Sequence, residues 1–197
     1  MALPDRKAQP ADRKALAKAI EDLLLASGAE LDAETRETPA RVAKAFSEDL
    51  LDGYAEDPVE ALKSSLVPAP RRGELVIASQ IDFHAMCPHH LLPYKGNAAV
   101  GYVADKWLVG FGKIAEATDA LAHRLILQEQ LVHRLCDSVM EALSPLGAGV
   151  VVTAEHGCMQ VRGPMRRQSR ITVEAWAGVF EKDAELRHSL ARRAQGG

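Results

Sequence analysis

The chain has 197 residues, 47% of them hydrophobic and 26% charged, with a formal net charge of −3. That length and composition predict one folded domain with a short helical appendage and exclude a disordered chain. No apolar run approaches the roughly 18 residues of a membrane span, and the first residues lack the apolar stretch of a secretion signal. A cytoplasmic protein with no membrane partner is therefore expected. With 24 basic against 27 acidic side chains there is no global field for a polyanion. Only 5% aromatic residues argues further against a base-stacking platform, so no nucleic-acid partner is expected. Three cysteines, Cys87, Cys136 and Cys158, cannot make a disulfide framework and are free to bind metal or to pack.

Residues 1–12 mix Pro, Ala and charge and predict a frayed start. From Arg13 to Ser27, Leu16, Ile20, Leu23 and Leu24 recur at helical spacing, and Gly28 suits the position after a helix end. Thr38-Pro39 reads as an N-cap and first helical residue, with Val42, Phe46 and Leu50 on one face. A short helical turn is expected from Pro58 to about Ser65, then a loop marked by Pro68, Pro70, Arg71, Arg72 and Gly73. Beyond it the period changes. Residues 74–81 and 97–103 read as strands, 113–125 and 128–143 as helices, and 149–154 as a buried strand. Residues 171–179 alternate as a half-buried strand, and 183–193 read as a terminal helix before a loose Gly-Gly. The order, helices and then ββ-αα-ββ, predicts an α+β fold with a four-stranded sheet and helices on one face. Its two sheet edges need covering, which makes a homo-oligomer a reasonable expectation.

Met86-Cys87-Pro88-His89-His90 carries one thiol and two imidazoles, and Cys87 and His90 have the spacing to share an ion. Glu155-His156-Gly157-Cys158, at a predicted strand end, brings another thiol and imidazole, while Gly157 permits close backbone approach. Cys158 lies 68 positions after His90. Such separation favours a site of three protein ligands with an open position over a structural finger. Buried packing is the competing reading of any single Cys or His, and the one adopted for Cys136, beside Leu135 and Val139. His84, His123, His133 and His188 are likewise read as structural or solvated.

Between His156 and Arg170 stand Arg162, Arg166, Arg167 and Arg170 with no acid. They suit a phosphate-bearing substrate or a solvated basic loop equally well. Lys113, near a helix start, could add a donor. Gln128-Glu129 could present an amide and a carboxylate to the polar edge of a purine.

At these residues the chain resembles the GTP cyclohydrolase I family, from about Glu37 (ETPARVAKAF) to Phe180 (AWAGVF). The strongest likeness is MCPHHLLPYKGNAAVGYV, where the family reads M-C-E-H-H-L-x-P-F-x-G. Leu127-Gln128-Glu129 and HGCMQVRG follow in the family's order. The resemblance implies a tunnelling fold, the ββ-αα-ββ unit with an antiparallel four-stranded sheet, over residues 71–182. An N-terminal helical region (1–70) precedes it, and a C-terminal helix and tail (183–197) follow. It further implies Zn2+ on Cys87, His90 and Cys158, proton transfer by His89 and His156, purine contacts from Gln128 and Glu129, and triphosphate contacts from Lys113 and Arg162. The implied activity converts GTP to 7,8-dihydroneopterin triphosphate and formate, in a homo-oligomer, a toroidal decamer, whose subunit interfaces complete the site.

The chain departs from the family's pattern at Pro88, where the family has Glu, at Gly112, where it has Ser, and at Glu116, where it has Arg. The metal and purine residues are kept while the phosphate side is altered. A second reading is therefore a family member acting on a purine nucleobase or nucleoside without triphosphate. A third is a non-catalytic purine- or pterin-binding relative, against which His89 and His156 speak.

Overall fold

The computed structural model describes residues 11–195 apart from 164 and 167. Of the expected frayed residues 1–12, the first ten lie outside the described residues, as do Arg167 and the closing Gly-Gly, while Asp12 caps the first helix.

The N-terminal region is helical. Helix α1 (Arg13–Ala26) starts at Asp12, whose carboxylate accepts from the backbone N–H groups of Lys14 and Ala15, satisfying two donors that a helix start leaves open. Gly28 follows it in the left-handed region at φ 85°. Helix α2 (Thr38–Ala45) has Glu37, not Thr38, at its cap position, and no side-chain cap bond. A π-helical turn (Phe46–Leu50) and a 3-10 turn (Asp52–Ala55) lead to α3 (Pro58–Lys63), capped by Asp57. The stretch expected to be loop then contains a strand, β1 (Leu66–Pro68). It pairs antiparallel with β4 (Trp107–Val109), and Pro68 faces Trp107 in this two-stranded ribbon. Two such three-residue strands are too short to announce themselves by alternation.

The main sheet has the order β2-β3-β5-β6 and is antiparallel throughout. Its strands are β2 (Leu75–Met86), β3 (Pro93–Val103), β5 (Gly147–His156) and β6 (Ile171–Gly178). Strand β2 runs five residues past the expected end at Ile81. The cause is a bulge between Ala78 and Ile81, with Gln80 at φ 57°. A bulge shifts the side-chain phase by one, so the inward set passes from Val76 and Ala78 to Ile81, Phe83 and Ala85, and the alternation looks broken.

Two helices, α4 (Phe111–Ala122) and α5 (Gln128–Leu143), lie on one face. The stripe Leu131, Leu135 and Val139 is fully buried there against Val150 and Val152 of β5. Burying a Leu or Val side chain contributes about 1.5–3 kcal/mol, so this helix–sheet layer is the principal source of stability. Cys136 packs among them, and burial pushes its thiol up to about 12. After the short turns α6 (Gly157–Gln160) and α7 (Val179–Lys182), helix α8 (Ala184–Ala194) crosses to the other face. There Leu190 and Phe180 bury Ala99, Val103 and Val151, so the helical cover is not confined to one side. Among the described residues no helix is long and apolar enough to cross a membrane.

Candidate metal centre

Strand register assembles the site. Met86 pairs with Pro93, and Tyr94 pairs with His156, so the end of β2, the start of β3 and the end of β5 meet at one end of the sheet. Cys87 follows β2, and Cys158 is the second residue of α6, directly after β5. The chain turns tightly between Cys87 and Leu92: the Leu91 N–H donates to Cys87 O and the Cys87 N–H to Leu92 O, both at 3.0 Å. Leu91 adopts φ 51° to close this turn, a conformation that non-glycine residues reach only at a cost. Pro88 suits the turn, because its missing N–H is not needed there. On the other strand, a Cβ on Gly157 would stand 2.6 Å from Pro93 O, so only glycine lets β5 end this close to β3.

The result brings together three of the residues singled out from sequence. One donor atom each of Cys87, His90 and Cys158 lies within 4.8 Å of the others, and Cys87 Sγ is 3.8 Å from His90 Nδ1. Cys87 is buried, Cys158 half-buried and His90 exposed. Burial and the adjacent Cys87 thiol push the Cys158 thiol up, since two thiolates so close would repel. A cation removes that penalty, and two thiols with one imidazole form a soft donor set of the kind that fits zinc. His89 is exposed, its ring edge-on to His90 at 6.2 Å.

His156 closes β5, two residues before Cys158. Its ring stacks on Tyr94 at 4.6 Å with 9° between planes, and burial lowers its pKa, partly offset by Glu129. Tyr94 is 2% exposed, donates its hydroxyl to Ile126 O at 3.0 Å, and is held far above the usual phenol range by burial, then by Cys87 and Glu129. Sequence reasoning passed Tyr94 over; the aromatic side chain within PYKG, directly after the ligand segment, was the available signal. Gln128 and Glu129 open α5 in the same place. Glu129 is exposed, while Gln128 is buried and bonded to His156 and to the backbone.

The arginine stretch divides. Arg162 reaches the cluster, its Nη1 3.0 Å from His90 Nε2. Arg170 pairs with Glu155 at 2.9 Å, and this carboxylate is held below its usual range by Gln160 and then Arg170. Arg166 is exposed. A cleft of about 680 Å³, lined by Asp82, Lys95, Asn97, Glu155 and Arg170 among others, opens at this end of the sheet, and none of the three candidate ligands lines it.

Lys113 is elsewhere. It lies in the first turn of α4, three helical turns before His123, whose ring stacks on His84 of β2 at 4.3 Å. That puts it on the order of 20 Å from Cys87, toward the opposite end of the sheet. Its ammonium is 2.6 Å and 2.9 Å from the two carboxylate oxygens of Glu116. One chain therefore does not bring Lys113 and Arg162 together. A Cβ on Gly112 would meet nothing within 4 Å, so the serine of the family's pattern would fit. His84 and His123 are bound into a local group with Asp49 O and Asp52.

The sequence profile described as GTP cyclohydrolase I matches residues 16–195. GTP cyclohydrolase 1 of Chromobacterium violaceum is 37% identical over 190 residues, 96% of this chain and 91% of that protein. The enzyme of the same name from Parabacteroides distasonis is 37% identical over 171 residues, 86% of this chain and 87% of its own. That of Helicobacter hepaticus is 39% identical over 150 residues, covering 76% and 71%.

Proposed function

The chain belongs to the GTP cyclohydrolase I family, and from that premise we propose that it opens the imidazole ring of GTP by hydrolysis, giving 7,8-dihydroneopterin triphosphate and formate. The observation that carries the reading is the convergence of Cys87, His90 and Cys158 within 4.8 Å, with His156 two residues before Cys158 and stacked on Tyr94. These three residues hold zinc, which when bound supplies Lewis acidity and lowers the pKa of a coordinated water toward neutrality. His156, kept neutral by burial, and His89, exposed at the cluster's rim, give and take protons at the purine nitrogens. Glu129 accepts hydrogen bonds from the polar edge of the purine, Gln128 backs it, and Arg162 meets a phosphate.

Lys113 completes the phosphate site only from a neighbouring copy, which favours a homo-oligomer; a decamer is the assembly implied by the resemblance. Residues 71–182 are its catalytic unit, between the helical region 1–70 and the C-terminal helix and tail 183–197. Three free cysteines, two of them needed reduced as ligands, favour a cytoplasmic setting. The test is incubation of the zinc-loaded protein with GTP, following the dihydropterin absorbance and formate. Both should appear; absence of both overturns the proposal.

One observation favours a second reading. Glu116 engages Lys113 through both carboxylate oxygens, neutralising a cation that the triphosphate would use. A purine without the triphosphate is then the substrate, and guanosine should be turned over at least as well as GTP. A clear preference for GTP excludes it.

A further inference from the structure

Gln128 is 2% exposed, at the first position of α5. Its amide nitrogen lies 3.0 Å from Val152 O and 2.9 Å from Ile171 O. An amide NH2 has two hydrogens, and both are spent on these backbone carbonyls. The assignment of oxygen and nitrogen is thereby fixed, because a flipped amide would set its oxygen against two carbonyl oxygens. The amide oxygen faces His156 Nε2 at 2.9 Å. An amide oxygen only accepts, so the proton between them belongs to His156. A neutral imidazole carries one hydrogen, and the other nitrogen, Nδ1, keeps its lone pair. The ring is held in this pose by its stacking on Tyr94, itself anchored to Ile126 O.

We infer that Gln128 is a positioning residue that holds His156 as the Nε2–H tautomer, making Nδ1 the atom through which His156 exchanges protons with the substrate. The inference rests on the reading of His156 as a proton-transfer group. A proton taken at Nδ1 gives an imidazolium that still donates Nε2–H to Gln128, and the same proton returns from Nδ1. Gln128 gains and loses nothing. Its effect is on the rate of the proton step and not on holding the purine, since its amide hydrogens are already used.

The experiment uses the metal-loaded protein labelled with 15N-histidine. Two-bond proton–nitrogen spectra separate a protonated ring nitrogen from a bare one, and the His156 signals are those missing from His156→Asn. The expected result is a protonated Nε2 and a bare Nδ1. A protonated Nδ1, or two nitrogens with averaged shifts, overturns the inference. Gln128→Met and Gln128→Asn should lose the single tautomer and lower kcat about ten- to hundred-fold, with KM within about two-fold. A raised KM at unchanged kcat would instead make Gln128 a purine contact. The wild-type spectrum decides even where a Gln128 variant fails to fold. If His156→Asn keeps full turnover, the proton-transfer reading falls while the tautomer result stands by itself.

Discussion

The two ends of the main sheet are built to different rules. Where Met86, Pro93 and His156 meet, three functional residues are tied to strand register: Cys87 through the turn to Leu92, Cys158 through Gly157 against Pro93, and His156 through Tyr94 and Gln128. At the other end, Lys113 stands on the first turn of a helix, and its ammonium pairs with Glu116 three residues on. The first group is placed by backbone contacts that hold whichever side chain is carried. The second can be silenced by one charge on a half-exposed surface. The departures from the family's pattern follow this difference: Gly112 and Glu116 flank Lys113, while at the metal end Pro88 departs in a position where the turn tolerates proline, and Tyr94 keeps an aromatic ring where the family has Phe.

The contrast is tested most severely by removing a ligand. Cys158→Ala should reduce bound zinc from about one per chain to almost none and abolish turnover, as an open three-ligand site does not survive on two. Full zinc occupancy in that variant would break the comparison at its stronger end. A smaller effect is expected from Glu116→Arg. Side-chain exposures of 33% for Lys113 and 56% for Glu116 make their pair worth little to stability. Its reversal should act on substrate, lowering KM for GTP about three- to ten-fold and leaving guanosine within about two-fold. Equal changes for both substrates would show that this turn never meets phosphate. Ionisation of the third thiol, which belongs to neither end, has no effect at neutral pH and tells only in alkali. Burial holds Cys136 up to about 12, against 9.0 for an ordinary thiol, so its contribution to stability is complete below pH 9 and is lost as pH rises toward 12. Unfolding free energies from denaturant titration should fall across that window by up to about 1.4 kcal/mol per pH unit more in the wild type than in Cys136→Ala. Parallel slopes would contradict the packed, unreactive role.

What the sequence made legible follows the same division. Dense chemistry at fixed spacing, as in Cys87-Pro88-His89-His90 and His156-Gly157-Cys158, pointed to a metal before any register was known. Helix α5 was readable from Gln128 to Leu143 because one apolar stripe faces one core. Strand β2 was cut short since the bulge at Ser79-Gln80 moves its inward residues to the other phase. Strands β1 and β4 are three residues each and carry no period. The partner of Gln128 was invisible for a different reason: its bonds run to Val152, Ile171 and His156, which only the β5–β6 pairing brings into reach. The separation of Lys113 from Arg162 likewise depends on the direction of α4 along the sheet, which spacing alone does not encode.

X-ray absorption at the zinc edge tests the central claim most directly. With Cys87, His90 and Cys158 as ligands, the zinc-loaded protein should show two sulfur neighbours at about 2.3 Å and one imidazole nitrogen at about 2.0 Å, with one further light-atom neighbour. A shell of nitrogen and oxygen with no sulfur would place the metal elsewhere and contradict the account.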